Sequence, residues 1–306
     1  MTLPDSTFLS RVTVLTNPMA GHGNAPHAAE KAVARFQQLG IDVVEIVGRD
    51  AAHARELVDE AVHAGTDALV VVGGDGVIRL ALQSLANSGI PLGIVPAGTG
   101  NDHAREYRIP TGDPAAAVDV IAAGSTTTVD LGLIRGTDGT STYFGTIAAT
   151  GFDSLVSDRV NRMRWPHGRM RYNLAIVAEL SKLRALPFRV VFDGEREIVT
   201  DLTLAAFGNT RSYGGGMLIC PNADHSDGML DVTMVRTGSR TKLVRLFPTV
   251  FKGTHIALGE VTTDRARTIM VDSPGINAYA DGDYVCPLPA EISAVPGALR
   301  ILAPPR

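Results

Sequence analysis

The sequence predicts an α/β amino-terminal domain with a parallel sheet, followed by a mostly antiparallel β domain. Short apolar runs alternate with helical patterns over residues 1–125, and that alternation is typical of parallel strands joined by crossover helices. β-rich runs then dominate residues 126–296. The chain has 306 residues, a comfortable length for two domains.

The first domain shows strand and helix signals in regular alternation. The apolar runs "RVTVLT", "DVVEIV", "ALVVV" and "PLGIV" predict its four strands. Asp50 is a candidate helix N-cap and Gly65 a stop signal, and Asp113 followed by Pro114 marks the start of a later helix. Gly40 is a C-cap candidate for the first helix.

The second domain begins with a hairpin signal, because "GTDGTS" separates the strand patterns "TTTVDLGLIR" and "TYFGTIAATG". Further β-rich runs follow up to about residue 296. Two helical patterns interrupt them, "YNLAIVAELSKLRAL" and "RTKLVRLFPTVFKG".

Composition excludes several classes of function. A net charge of −4 and 5% aromatic residues give no signal for nucleic-acid binding. Two unclustered cysteines, Cys220 and Cys286, form neither a disulfide framework nor a zinc site, and they fit a reducing cytoplasm. The sequence shows no secretory signal pattern, and no apolar run reaches the roughly 18 residues of a membrane span.

A glycine-rich loop follows the third strand. Gly73, Gly74 and Gly76 let the backbone approach a bulky anion, and the N–H groups of the next helix then face negative charge. Asp75 would repel phosphates unless a cation lies between them, so "GGDG" predicts a metal–nucleotide site. The alternative is an ordinary strand–helix turn capped by aspartate.

Two more strands end in similar loops. "VPAGTGNDHAR" supplies Gly98, the Thr99 hydroxyl and the Asn101 amide, with Asp102 as a natural N-cap. "TNPMAGHGN" follows the first strand, where Gly21 loosens the backbone. Because ligands of open parallel sheets bind beyond the carboxyl ends of the strands, these loops predict one shared ligand site. Neither a P-loop nor a dinucleotide fingerprint is present.

The motifs "NPMAG", "GGDG" and "PAGTGNDHAR" resemble the diacylglycerol kinase catalytic domain of soluble bacterial diacylglycerol kinases and sphingosine kinases. The resemblance continues through "GFDSLV", "GRMRY", "SYGGGMLICPNADHSDGMLDV" and "YADGD". NAD kinases and phosphofructokinases share the GGDG loop, but we do not expect the later blocks in them. The resemblance implies an NAD kinase/phosphofructokinase-like α/β domain and a β-sandwich-like domain, with ATP and lipid meeting in the cleft between them. It also suggests that residues 297–306 return to the first domain.

Through this resemblance, a set of loop residues is expected to bind ATP. They are Asn17, Pro18, Gly21, Gly73, Gly74, Gly76, Val77, Gly98, Thr99 and Asn101. Two departures affect the phosphate loop, since Val77 stands where the family usually has Thr, and Arg79-Leu80 where it has Asn-Glu. The Val77 N–H is retained, and Arg79 could either pair with phosphate or face solvent.

Phosphoryl transfer needs a carboxylate that orients the attacking hydroxyl and accepts its proton. Two Asp-Gly hairpins could supply it, one with Asp193 and Glu195, the other with Asp281 and Asp283. The resemblance favours the second, in which Asp283 replaces the family's usual Glu and Asp281 is the second catalytic candidate. Asp75 joins them as the residue next to a catalytic Mg²⁺ that enters with ATP.

The acidic loop "NADHSDGMLD" is either a hydrated surface loop or a cation site, since hard cations take carboxylate and carbonyl oxygens. In the family that this sequence resembles, the matching loop holds a structural magnesium ion. This would assign the Asp227 side chain and the backbone oxygens of Asp224 and Met229 to the metal.

A run of arginines around Trp165, from Arg159 to Arg171, is either a solvated helix edge or a lip that rests on anionic lipid headgroups. The second reading places the protein in the cytoplasm, in peripheral contact with the inner face of the membrane.

The sequence therefore predicts an ATP-dependent kinase that converts diacylglycerol to phosphatidic acid and ADP, with Mg²⁺ as cofactor. A kinase of another lipid alcohol, such as a sphingoid base, and a catalytically weak nucleotide or lipid sensor are the alternatives. Oligomeric state is left open, a homodimer included.

Overall fold

The computed structural model of the chain describes residues 8–17, 25–163, 174, 178–179, 184–236 and 239–305. It divides into two compact units. The first comprises Met1–Leu131 and Pro296–Arg306, and the second comprises Gly132–Val295. The sequence predicts these divisions after residues 125 and 296.

The first unit contains a parallel sheet in the order β2–β1–β3–β4. Its strands are β1 (Arg11–Thr16), β2 (Asp42–Val47), β3 (Ala68–Gly73) and β4 (Leu92–Pro96). β3 and β4 are buried along their whole length, as expected for strands covered on both faces. Near the end of the chain, Ile301 pairs in parallel with Leu92 of β4, so the last strand joins this sheet.

Five helices connect and cover these strands: α1 (Ala25–Gln38), α2 (Ala51–Ala64), α3 (Asp75–Leu85), α4 (Asp102–Glu106) and α5 (Pro114–Ala122). The predicted caps of α2 and α5 are confirmed. Asp50 accepts a hydrogen bond from the His53 N–H, Gly65 ends α2 in the left-handed region, and Asp113 caps α5 at Pro114. Helix α1 packs against α5, and α2 packs against α3.

The second unit is built from antiparallel strands, of which the first and the last also extend into the first unit. A six-stranded sheet has the order β12–β11–β10–β7–β14–β15, and β16, β13, β8 and β9 form a second run beside the β5–β6 hairpin. The strands are β5 (Thr126–Gly136), β6 (Ser141–Phe144), β7 (Ile147–Gly151), β8 (Leu186–Phe192), β9 (Arg196–Leu202), β10 (Leu204–Gly208), β11 (Leu230–Val235), β12 (Val261–Ala266), β13 (Thr268–Asp272), β14 (Asn277–Ala280), β15 (Asp283–Pro287) and β16 (Ala290–Leu302).

Apolar side chains from both sheets share one core in this unit. Phe188 of β8, Phe207 of β10, Val232 of β11 and Ile269 of β13 all belong to it. The unit is therefore a β-sandwich, and the predicted fold class, parallel α/β followed by antiparallel β, is confirmed.

The second unit includes the α-helices α6 (Phe152–Arg162) and α7 (Arg240–Val250), and a 3₁₀ turn follows α7 at Thr254–Ala257. Helix α7 matches the pattern "RTKLVRLFPTVFKG". The other predicted helix, "YNLAIVAELSKLRAL", falls mostly outside the described residues. Among the residues described, no helix is long and apolar enough to cross a membrane.

Candidate functional site

The carboxyl ends of β1, β3 and β4 lie at one edge of the parallel sheet. The pairs Thr16–Val72 and Gly73–Pro96 fix this alignment. The three glycine-rich loops leave the sheet at this edge, where open α/β sheets bind ligands. Asn17 directly follows β1, and the rest of its loop, including the predicted Pro18 and Gly21, lies outside the described residues.

The loop after β3 leads directly into α3. Gly74 is the N-cap residue of this helix and has no side chain to satisfy the first N–H groups. The Val77 N–H donates to the Gly74 carbonyl oxygen at 3.0 Å, and the Val77 side chain is buried. Val77 therefore packs in the core and closes the first turn of α3. Its predicted contact with phosphate stays a prediction. The exposed Gly76 leaves this end of the helix accessible.

The loops after β3 and β4 touch at two glycines. A Cβ atom on Gly98 would lie 2.4 Å from the Gly74 Cα, and one on Gly74 would lie 3.0 Å from the Gly98 Cα. Any side chain at Gly98 would push the loops apart. The glycines are thus required for the close approach of the two loops, in addition to any approach to a ligand.

Asn101 fixes the shape of the second loop. It adopts a left-handed conformation (φ 53°), its Oδ1 accepts from the Gly98 N–H, and its Nδ2 donates to the Gly98 carbonyl oxygen, both at 3.0 Å. Asn101 is the N-cap residue of α4, which corrects the prediction that Asp102 would cap it. The Asp102 carboxylate instead accepts from Arg105 at 2.7 Å. Thr99 is exposed at the loop tip.

Asp75 joins the two loops through His103. Its Oδ1 accepts from the backbone N–H of His103 at 3.1 Å and from the ring Nδ1 of His103 at 3.0 Å. A carboxylate can only accept here, so Nδ1 carries the proton. Burial alone would raise the pKa of Asp75, but the hydrogen bonds and charge of His103 outweigh it and lower the pKa to about 2. Asp75 is therefore a fixed negative charge at neutral pH.

In the second unit, the predicted catalytic hairpin is the turn between β14 and β15. Asp281 and Gly282 have φ values of 49° and 88°, the two positive values of a type I′ turn. Asp281 is buried, whereas Asp283 is exposed at the start of β15.

Both carboxylate oxygens of Asp281 are engaged. Oδ2 accepts from the Gly145 N–H at 2.8 Å, and Oδ1 accepts from the N–H and the hydroxyl of Thr146 at 2.8 and 2.5 Å. Nearby, Asn209 donates from Nδ2 to the Gly145 carbonyl oxygen at 2.9 Å. This arrangement favours a positioning role for Asp281 and leaves Asp283 as the carboxylate of this hairpin that a substrate can reach.

The competing hairpin, between β8 and β9, is anchored differently. Asp193 (φ 51°) uses only Oδ1 in its described bonds, accepting from the N–H groups of Arg267 and Thr268 at 2.9 Å. An open cavity of about 650 Å³ lies beside it. Its lining residues are Asp193, Gly194, Glu195, Met229, Arg267 and Thr268. Glu195 is exposed beside this cavity, so the hairpin between β8 and β9 is the alternative source of a catalytic carboxylate.

Comparison with known proteins adds to this geometry. Residues 11–134 match the model of the diacylglycerol kinase catalytic domain, and residues 146–303 match the YegS C-terminal NAD kinase beta sandwich-like domain. The diacylglycerol kinase of Mycobacterium tuberculosis is 66% identical over 296 residues, covering 97% of this chain and 96% of that protein. The chain belongs to the diacylglycerol kinase family.

More distant proteins are similar to this chain in sequence or in fold. The diacylglycerol kinase of Bacillus subtilis is 26% identical over 92% of this chain and 93% of its own length. A crystal structure of a diacylglycerol kinase from Bacillus anthracis has a TM-score of 0.72 at 21% identity, covering 97% of each chain. A second solved chain from that organism reaches 0.78 at 20% identity, over 98% of this chain and 99% of its own. These structures support the fold.

The family resemblance implies a structural magnesium at the acidic loop, and the described donors do not fit one as they stand. Asp227 accepts from the Met229 N–H at 3.0 Å and from the Arg265 guanidinium. Arg265 also donates to Asp231 at 3.1 Å. Within the described ranges no group of three or more His, Cys, Asp or Glu could hold a metal ion. The ligand set Asp224, Asp227 and Met229 thus remains a prediction, and in this structure the Asp227 carboxylate is paired with Arg265.

Most of the arginine-rich segment predicted to contact lipid lies outside the described residues. Helix α6 ends at Arg162, and this described stretch of the chain ends at Met163. Within α6, Asp158 accepts from the Tyr279 hydroxyl at 2.5 Å and from Asn277 at 3.0 Å, which attaches this helix to β14.

Two residues that organise the candidate sites, His103 and Arg265, have no role predicted from the sequence. His103 lies within the motif "GTGNDHAR". Its partner Asp75 is 28 residues away, and only the folded sheet brings the two side chains together. Arg265 lies on β12 and reaches a loop 38 residues earlier, a contact for which the sequence carries no local signal.

Proposed function

We propose that this family member is an ATP-dependent kinase that phosphorylates the hydroxyl of diacylglycerol, giving phosphatidic acid and ADP. The observation that carries the proposal is the contact of two glycine-rich loops at the carboxyl edge of the parallel sheet, joined by Asp75 and His103. The lipid acceptor is inferred from relatives named diacylglycerol kinase, above all the one that is 66% identical.

The loops carry groups that can bind the phosphates and the metal ion of a nucleoside triphosphate. Gly74 leaves the first N–H groups of α3 open to an anion, and the end of this 11-residue helix carries partial positive charge. Asp75, ionised at neutral pH, is a hard oxygen donor of the kind that Mg²⁺ prefers. When bound, Mg²⁺ would neutralise charge on the ATP phosphates. The residues of this loop therefore fit a magnesium ion that arrives with ATP.

Asp283 is our candidate for the proton acceptor. In the transfer, the lipid hydroxyl oxygen bonds to the γ-phosphorus, the bond from that phosphorus to the β–γ bridging oxygen breaks, and ADP leaves with the bond electrons. The hydroxyl proton passes to a carboxylate. Asp283 is exposed at the start of β15, where a substrate can approach it, whereas Asp281 is buried. Asp281 then acts by holding the hairpin in place.

The acceptor is tested by a panel of lipid alcohols with γ-labelled ATP and Mg²⁺. We expect the highest kcat/KM with sn-1,2-diacylglycerol and labelled phosphatidic acid as the product. A higher kcat/KM with a sphingoid base would overturn the choice of acceptor. Nucleotide binding without transfer to any lipid would identify a sensor instead of a kinase.

The nucleotide site is tested by Asp75→Asn. Asparagine keeps an acceptor oxygen for His103 and removes only the negative charge, so we expect a folded protein with weakened MgATP binding and greatly reduced turnover. Asp67→Asn is the matched control, because Asp67 precedes β3 and uses one oxygen to accept from the N–H groups of Ser10 and Arg11 at 2.8 Å. Normal turnover in Asp75→Asn would remove the metal–nucleotide assignment.

A further inference from the structure

Three exposed apolar side chains lie on one face of the second unit, on or directly after helix α7. Val244 is 56% exposed, Phe247 48% and Phe251 47%. They occupy positions i, i+3 and i+7, which place them along one side of a helix. The rings of Phe247 and Phe251 meet edge to face, with centroids 5.6 Å apart. We call these three residues the α7 outer face.

The opposite side of the helix is fixed in the core. Leu243, Leu246 and Val250 are buried, and Leu246 and Val250 pack with Val235 and Ala206 of the six-stranded sheet. Because this inner side determines the orientation of α7, the outer face cannot turn inward. Its phenylalanines stay in contact with solvent unless something outside the unit covers them.

The chain segment that carries this face is basic. Between Asp231 and Glu260 the sequence contains no acidic residue, in a chain whose net charge is −4. The basic residues of this segment are Arg236, Arg240, Lys242, Arg245 and Lys252. Lys242 pairs with Glu260 at 2.6 Å, at the end of the acid-free segment. Aromatic side chains flanked by cations are typical of helices that lie in the interface of an anionic bilayer.

We propose that the α7 outer face docks on the surface of an anionic lipid bilayer, with Phe247 and Phe251 entering the headgroup region. The choice of a bilayer rests in part on the proposed function, because a kinase of a membrane lipid has to reach its substrate there. A second copy of the chain fits less well. In a symmetric dimer this face would meet itself, and the basic residues of both copies would repel each other.

Binding to vesicles tests the proposal without any catalytic step. Vesicles of phosphatidylglycerol and phosphatidylcholine are sedimented with the full chain, next to vesicles of phosphatidylcholine alone. We expect binding to the anionic vesicles that falls as salt is added. Phe247→Ser with Phe251→Ser should weaken it at least tenfold. Val199→Ser is the control, because Val199 is 71% exposed on β9, and it should bind as the wild type does.

Charge is tested separately with Arg245→Glu and Lys252→Glu together. Each basic residue near an anionic surface contributes about fivefold to binding, so the pair should weaken it about 25-fold or more. Lys31→Glu with Arg55→Glu makes the same change in net charge on exposed positions of α1 and α2, and it should have a much smaller effect.

The outcomes separate this inference from the proposed function. Activity on short-chain diacylglycerol dispersed in water should be unchanged in the α7 variants, while the KM for vesicular substrate rises. Vesicle binding by a wild type that transfers no phosphate would leave the docking surface standing and overturn the kinase. Wild-type affinity in the phenylalanine variant would overturn the docking surface. So would a wild-type dimer, detected by sedimentation, that this variant dissociates, because the face would then be a protein interface.

Discussion

Two hairpins of the second unit have nearly the same sequence at their turns and are anchored in different ways. "FDGE" at residues 192–195 and "ADGD" at residues 280–283 each place an Asp and a Gly at positive φ, followed by a second acid. Asp193 accepts two backbone N–H groups on a single oxygen at an exposed turn. Asp281 is buried and uses both oxygens for three hydrogen bonds.

The difference shows that an Asp-Gly turn determines local conformation but not function. Turn chemistry explains why both aspartates adopt left-handed backbone. Whether the turn can also hold a reactive group in a fixed position depends on what the aspartate is bonded to. The buried bonds of Asp281 to Gly145 and Thr146 restrain the neighbouring Asp283, whereas Glu195 follows an aspartate whose carboxylate bonds lie at an exposed turn.

The largest expected effect is that of Asp283→Asn. Loss of a general base lowers kcat by roughly 10²–10⁴-fold, and MgATP binding measured by calorimetry should be retained. Glu195→Gln is the matched control and should leave kcat within a few-fold. An active Asp283→Asn together with an inactive Glu195→Gln would reverse the assignment of the two hairpins and place the chemistry at the cavity beside Asp193.

The second effect concerns stability and compares Asp281→Asn with Asp193→Asn. An asparagine at 281 turns an NH₂ group toward one of the buried donors, so we expect a loss of about 2–3 kcal/mol in the free energy of unfolding. At 193 the retained oxygen can still accept both bonds, and we expect less than about 1 kcal/mol. Urea denaturation measures both values. Equal losses would mean that the two anchors are equivalent.

A third aspartate, Asp75, extends the comparison to the first unit, since its Oδ1 accepts both bonds from His103. His103→Leu removes the ring bond and the imidazole charge, so burial is offset only by backbone N–H groups and the pKa of Asp75 rises from about 2. A depressed carboxyl pKa stabilises the fold above the unfolded value of 3.8, and this contribution is lost as pH falls toward 2. We expect His103→Leu to lose about 1–2 kcal/mol of that stability at neutral pH.

The same variant should shift the acid limb of MgATP binding to higher pH. His103→Asn should restore part of the effect, because the asparagine Nδ2 can take the place of the ring Nδ1. His255→Asn is the control, since His255 is fully buried and donates from Nε2 to the Ile219 carbonyl oxygen at 3.0 Å. It should lower stability without moving the acid limb. An unchanged acid limb in His103→Leu would show that His103 does not set the charge of Asp75.

The smallest effects are expected from changes in carboxylate length. Asp283→Glu restores the residue that the family usually carries, and an exposed side chain can accommodate one more methylene. We expect kcat within about tenfold of the wild type, far from the loss caused by removing a general base. Glu195→Asp should have no measurable effect on kcat. A loss in Asp283→Glu as large as that in Asp283→Asn would show that the position of the carboxylate is fixed more tightly than its exposure indicates.

Much of the fold could be predicted from the sequence because its signals are local. The caps at Asp50 and Asp113 and the alternation of apolar runs depend on neighbouring residues, and the structure confirms them. The cap of α4 was predicted wrongly, since Asp102 precedes the helical pattern but Asn101 holds the loop through Gly98. Asparagine tolerates the left-handed conformation that this tight turn requires.

The candidate sites were less accessible from the sequence, because their contacts join distant residues. The family motifs located the loops, but the roles of Asp75 and Asp281 depend on partners 28 and about 135 residues away. Likewise, the acidic loop suggested a cation, and the structure places the Arg265 guanidinium at Asp227. The spacing of residues along the chain does not predict such pairs, because only the folded chain brings these distant residues together.

The most direct test of a lipid kinase is the fate of the γ-phosphate in the unmodified protein. Purified chain is incubated with γ-labelled ATP and Mg²⁺, with and without sn-1,2-diacylglycerol in mixed micelles. Labelled lipid is counted, and the unlabelled ADP is measured by chromatography. We predict one phosphatidic acid for each ADP, little ADP without lipid, and at least about 100-fold less of both products from Asp283→Asn at the same enzyme concentration. ADP formed without labelled lipid, or no ADP at all from a protein that binds MgATP, would contradict the assignment.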